Sequence, residues 1–133
     1  GGALGKKLYL TVGELAKKHE CPSVRIDTPV KNVISEITQK RLGATIVMDK
    51  NQIVGIITDG DIRRMLEKFD NIGTLVAKDI MSNNPITVDP EILATDVLKT
   101  LETKGIGQLI VQDSRGEYLG MVHILDLINE GMQ

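Results

Sequence analysis

The chain's 133 residues suit one compact domain, and 41% hydrophobic residues supply a core that must be aliphatic because aromatics make up only 2%. So few aromatics leave no stacking platform for single-stranded nucleic acid, and a formal net charge of -2 offers no basic surface to a polyanion. Cys21 is the one cysteine, which rules out an internal disulfide framework. With no apolar run of about 18 residues and no signal-peptide pattern, the expectation is a cytoplasmic protein without a membrane span.

Along the chain, Gly1 to Leu10 carries three glycines, a Lys6-Lys7 pair and little periodicity, and reads as a linker from something larger. Thr11-Val12-Gly13-Glu14 has the spacing of a capping box that opens a short helix. Val24 and Ile26 alternate with polar neighbours as a strand, closed by Thr28-Pro29. Val30, Val33, Ile34, Ile37 and Leu42 recur at three- and four-residue steps as one helix face. Ala44 to Met48 and Ile53 to Ile57 are buried-strand runs around the turn Asp49-Lys50-Asn51-Gln52, and Ile62, Met65, Leu66 and Phe69 mark a second amphipathic helix.

The same order then recurs. Asp79-Ile80-Met81 ends a lead-in helix, Asn83-Asn84-Pro85 is a loop, and Ile86 and Val88 alternate before Asp89-Pro90. Ile92, Leu93, Val97, Leu98 and Leu101 make a helix face; Leu109-Ile110-Val111 and Tyr118 to Val122 are strands around Asp113-Ser114-Arg115-Gly116; Leu127 and Ile128 lie on a last helix. Gly55-Ile56-Ile57-Thr58-Asp59-Gly60-Asp61 and Gly120-Met121-Val122-His123-Ile124-Leu125-Asp126 share one frame. The fold class expected is therefore α+β, two β-α-β-β-α repeats related by a pseudo-twofold axis, since neither half can bury its apolar face alone. The boundaries are 1–10 for the linker, 11–72 for the first repeat and 73–133 for the second.

The Gly-apolar-apolar-Thr-x-x-Asp frame at a strand-to-helix junction, repeated with His123 in place of the threonine, resembles the CBS domain, and the tandem resembles a Bateman module. Within that group, Gly1 to Leu8, Thr58 to Arg64 and Gly120 to Leu127 are similar to the arabinose 5-phosphate isomerases (sugar isomerases, KpsF/GutQ-like), although Leu125 stands where that group commonly has a second histidine. The resemblance implies a parent that interconverts ribulose 5-phosphate and arabinose 5-phosphate for Kdo and lipopolysaccharide synthesis, with an N-terminal sugar isomerase domain as the partner of this region. It implies a non-catalytic, regulatory and dimerising pair that binds CMP-Kdo or another nucleotide-type ligand. It also implies that the loops at Pro22-Ser23-Val24 and Asn84-Pro85-Ile86 approach a base, which makes Ile86 a candidate contact. Adenine-nucleotide sensing in another host protein and a purely structural dimerisation role are the alternatives.

Thr58 and Asp61 carry two readings. Asp61 can accept hydrogen bonds from a ribose diol while Thr58 and the first helix amides face a phosphate; Thr-x-x-Asp is equally a capping box that merely starts a helix. His123 and Asp126 hold the equivalent places. Histidine is a poor N-cap, so a ligand-facing imidazole and a satisfied strand-end histidine compete there. Arg63 and Arg64 suit phosphate or carboxylate recognition, or serve as a solvated helix face with Asp59 and Asp61 as partners. His19 and Cys21 stand two apart with no second pair to complete a metal site. No nucleophile–base constellation, nucleophile elbow or dinucleotide-binding glycine loop is present.

Overall fold

A computed structural model describes residues 8–131, and most of the expected 1–10 linker lies outside them. Helix α1 (Val12–Ala16) opens on Thr11, whose Oγ1 accepts the Glu14 N–H at 3.3 Å. The Glu14 carboxylate instead takes the Thr11 hydroxyl, so only one half of the expected reciprocal box forms. There follow β1 (Ser23–Arg25), α2 (Val30–Lys40), β2 (Ala44–Asp49), β3 (Gln52–Thr58), α3 (Asp59–Lys68) and α4 (Ala77–Ile80). The remaining elements are β4 (Ser82–Asn83), β5 (Thr87–Val88), α5 (Ala94–Lys104), β6 (Gln108–Gln112), β7 (Tyr118–His123) and α6 (Ile124–Asn129). No helix among the described residues is long and apolar enough to cross a membrane.

The chain divides into two compact units, one running from Pro22 to Pro85, the other joining residues up to Cys21 with those from Ile86 onward. In the central unit the sheet order is β1-β2-β3-β4, with β1 parallel to β2 through the α2 crossover and the remaining pairs antiparallel. Lys50 and Asn51 both take positive φ, 51° and 64°, which is how a two-residue hairpin matches the twist of its strands. Val24, Val33, Ile37, Val47, Ile57 and Ala77 form the core. Leu66 is 60% exposed, off the buried face that its spacing suggested, because Met65 and not Leu66 points inward from α3.

The other unit repeats the pattern as β5-β6-β7, with β5 parallel to β6 and β6 antiparallel to β7. Its core joins Leu10, Val12 and Leu15 to Val97, Leu98, Leu101, Leu109, Val111, Val122 and Leu127. Leu10 is thus core rather than linker. Ile92 stays 39% exposed because α5 begins only at Ala94, so Ile92 never joins the helix face.

The repeat extends to the irregularities. Val47 pairs Gly55 and Met48 pairs Ile53, so Val54 is an extra residue; Val111 pairs Gly120 and Gln112 pairs Tyr118, so Leu119 is its counterpart. An extra residue bends a strand and strengthens its twist, and both of these turn onto their unit's core.

Candidate functional site

Each of the two long hairpins ends by handing its second strand to a helix, and the glycine of each frame lets another segment lie close beside that strand. A Cβ on Gly55 would stand 2.9 Å from the Ser82 carbonyl oxygen and 2.6 Å from Met81 Sδ. One on Gly120, whose φ is +143°, would stand 3.2 Å from Ala16 Cβ. These close approaches bring Ser82 and His19, respectively, to the aspartates that follow.

At the first junction the capping reading holds in full. Thr58 Oγ1 accepts the Asp61 N–H at 3.3 Å, and Asp61 Oδ2 accepts the Thr58 N–H at 2.9 Å, which satisfies donors that the start of α3 leaves without helical partners. Asp61 is only 6% exposed. Its Oδ2 also accepts the Thr58 hydroxyl at 3.2 Å, while Oδ1 takes Arg64 Nη2 at 2.8 Å and Ser82 Oγ at 2.9 Å. A carboxylate offers about four lone-pair positions, and here each is occupied.

The second junction has the same skeleton with a different occupancy. His123 does cap α6, contrary to its poor intrinsic ranking: Nδ1 accepts the Leu125 N–H at 3.0 Å, which leaves the ring proton of the neutral form on Nε2. Asp126 Oδ2 accepts the His123 N–H at 2.8 Å, and Oδ1 accepts from His19 Nε2 at 2.6 Å. Each oxygen of Asp126 thus retains one open acceptor position. Cys21, next to this lead-in, is exposed and donates weakly to the Leu119 carbonyl.

Ile86 falls in the same unit as His123 and Asp126. Its carbonyl accepts the Ile110 N–H on β6, and His123 pairs with Gln108 on the other edge of that strand. Strand spacing therefore puts Ile86 and His123 roughly 10 Å apart, either side of β6. Ile86 is 38% exposed, an apolar side chain left uncovered. Thr58, Asp61 and Arg64 form their own cluster in the central unit. Among the described residues no group of three or more His, Cys, Asp or Glu could hold a metal ion. Sequence reasoning missed His19: nothing local links it to an aspartate 107 residues away.

The family model described as "CBS domain" matches residues 12–68 and 77–132. An arabinose 5-phosphate isomerase KdsD of Yersinia pestis is 37% identical over 99% of this chain, which spans only 40% of that relative's length. A crystal structure of a CBS domain superposes with a TM-score of 0.82 at 25% identity, covering 91% of this chain and 96% of that one. A CBS domain protein of Pyrobaculum aerophilum complexed with AMP does so with a TM-score of 0.77 at 22% identity, over 89% and 90% of the two chains.

Proposed function

Since the chain belongs to the CBS domain family and carries two copies of that domain, we propose that it is the ligand-sensing, dimerising region of an arabinose 5-phosphate isomerase, with its nucleotide-type ligand at the Ile86, His123 and Asp126 junction. The host assignment rests on 37% identity, over nearly the whole chain, to a relative of that name. The parent would interconvert ribulose 5-phosphate and arabinose 5-phosphate for Kdo and lipopolysaccharide synthesis. The sugar isomerase domain would be this region's partner. A nucleotide-sugar such as CMP-Kdo is the ligand this reading prefers. Coupling would work through unequal affinity for two arrangements of the parent, the one means by which a ligand shifts an equilibrium.

One observation carries the choice of junction: Asp126 has an open acceptor position on each oxygen, whereas Asp61 has none. A ribose diol needs two such positions. Ile86 would then lie against the base, and the His123 Nε2–H would serve an anionic or polar group. Binding at Thr58, Asp61 and Arg64 requires that Arg64 or Ser82 first let go. The AMP complex of the Pyrobaculum relative supports adenine nucleotides as the second reading.

Thermal-shift titration tests this, because a ligand at 100 times its Kd adds about 2.7 kcal/mol of stability. CMP-Kdo is expected to raise the melting temperature more than AMP or ATP. Asp126→Asn and Ile86→Ser should each shrink the shift, and Asp61→Asn should not. A larger shift with AMP or ATP would favour the adenine reading. Shifts that survive both Asp126→Asn and Ile86→Ser would remove the site, and no shift with any nucleotide would leave the structural role.

A further inference from the structure

Between α3 and α4 of the central unit lies a groove of about 220 Å³, lined by Asp61, Arg64, Met65, Lys68, Phe69, Asp79 and Ile80. Arg64 and Lys68 are one helical turn apart, so two cations share one face of α3. Such a like-charge pair is mildly destabilising by itself. Asp61, already saturated, holds Arg64 from behind through a single guanidinium N–H. The other donors of Arg64 have no such anchor. Among the described residues Lys68 pairs with no carboxylate; its ammonium lies 5.3 Å from the centre of the Phe69 ring.

The other lining groups are of a different kind. Met65, Phe69 and Ile80 give an apolar floor, Met65 being 2% exposed. Across from the cations, Asp79 uses Oδ2 to accept the Val76 N–H at 2.9 Å and keeps Oδ1 for another donor. A forked guanidinium beside an ammonium matches a tetrahedral dianion, a carboxylate acceptor matches hydroxyls, and an apolar floor matches a carbon skeleton. The groove is smaller than the roughly 300–1,000 Å³ common for pockets that take drug-sized ligands, which favours a small ligand over a whole nucleotide.

We propose that this groove is a binding site for a phosphate monoester of a small polyol, with Arg64 and Lys68 on the phosphate and Asp79 on a hydroxyl. It is distinct from the nucleotide-type site proposed at Asp126, and shares no residue with it.

The test is a calorimetric or NMR titration of the whole chain with D-ribose 5-phosphate, beside ribose alone and inorganic phosphate alone. Ribose 5-phosphate should bind, more tightly than inorganic phosphate, and ribose alone should not. Loss of one charge-assisted contact in Arg64→Gln or Lys68→Gln should weaken binding by about tenfold. Lys68 makes only an exposed contact with the Phe69 ring, worth about 0.5–1 kcal/mol, so Lys68→Gln should stay folded with a melting temperature within a few degrees of the parent's and separates binding from folding. Asp126→Asn should leave this titration unchanged, so this proposal and the nucleotide proposal fail separately. No saturable binding, or binding indifferent to Lys68→Gln, overturns the site; equal affinity for inorganic phosphate overturns the polyol part.

Discussion

His19 Nε2 donates to Asp126 Oδ1 at 2.6 Å, and so does for the second frame what Ser82 Oγ does for Asp61 Oδ1 at 2.9 Å in the first. In both cases the donor comes from a lead-in segment that precedes the other repeat in the chain. Asp126 is thus held on one oxygen by its neighbour His123 and on the other by a residue 107 positions away. The His19 and Asp126 side chains are 29% and 15% exposed, so the bond is only partly screened by water. Hydrogen bonds to charged groups contribute about 1.5–3 kcal/mol, and partial exposure lowers this to about 1–2 kcal/mol. A denaturant double-mutant cycle of His19→Ala and Asp126→Asn should return a coupling of that order. Additive losses would show that the pair is a mere juxtaposition.

His123 caps α6 through Nδ1, so its replacement tests helix start and ligand contact together. His123→Ala should cost about 1 kcal/mol, the usual price of a lost N-cap. His123→Thr installs the residue that stands in the first frame and should recover most of that stability by its hydroxyl. Thermal melts of the two variants give the comparison. If His123→Ala melts with the parent, the Leu125 N–H is adequately served by water and the imidazole has no capping role.

Much of this was legible in the sequence because it is local. Frames of seven residues encode a strand end, a glycine and a reciprocal cap, and spacing alone identified Thr58 with Asp61 and their counterparts. Segments that the chain separates were not legible. His19 stood out in the sequence only as half of an incomplete metal pair with Cys21, since only the close approach of Ala16 to Gly120 brings that lead-in to Asp126. The saturation of Asp61 was equally hidden, because Ser82 lies 21 residues away and reaches it only through the pairing of β3 with β4. Leu66 misled for the opposite reason: a three-four period gives a face but not its width, and Met65 with the partly buried Ile62 fills the inward positions.

The two frame glycines make a further prediction about packing. In Gly55→Ala the new methyl can displace Met81 Sδ but not the Ser82 carbonyl 2.9 Å away, so the backbone must move. In Gly120→Ala the contact with Ala16 is milder, at 3.2 Å, but the φ of +143° strains any residue with a Cβ. Each should lose about 1–3 kcal/mol in urea denaturation, from overpacking in the first and chiefly from backbone strain in the second. Gly107 has nothing within 4 Å of its would-be Cβ, and Gly107→Ala should stay within about 0.5 kcal/mol of the parent. Equal effects at all three positions would mean that helix or strand propensity, and not close approach, fixes the glycines.

Dimerisation, part of the proposed function, predicts what the exposed leucines do. Leu66 on α3 is 60% exposed and Leu125 on α6 is 56% exposed, large apolar side chains that their own units leave uncovered. On a monomer, changing either to Glu should alter stability by no more than about 0.5 kcal/mol. Covered by a second copy, each leucine would bury area worth about 1.5–3 kcal/mol, and a twofold interface counts that twice. Leu66→Glu and Leu125→Glu should then raise the dimer dissociation constant by two or more orders of magnitude, about 1.4 kcal/mol being tenfold. Sedimentation equilibrium across a protein concentration series reads this directly. A parent chain that sediments as a monomer throughout, or a dimer indifferent to both substitutions, would exclude these two helix faces as the contact.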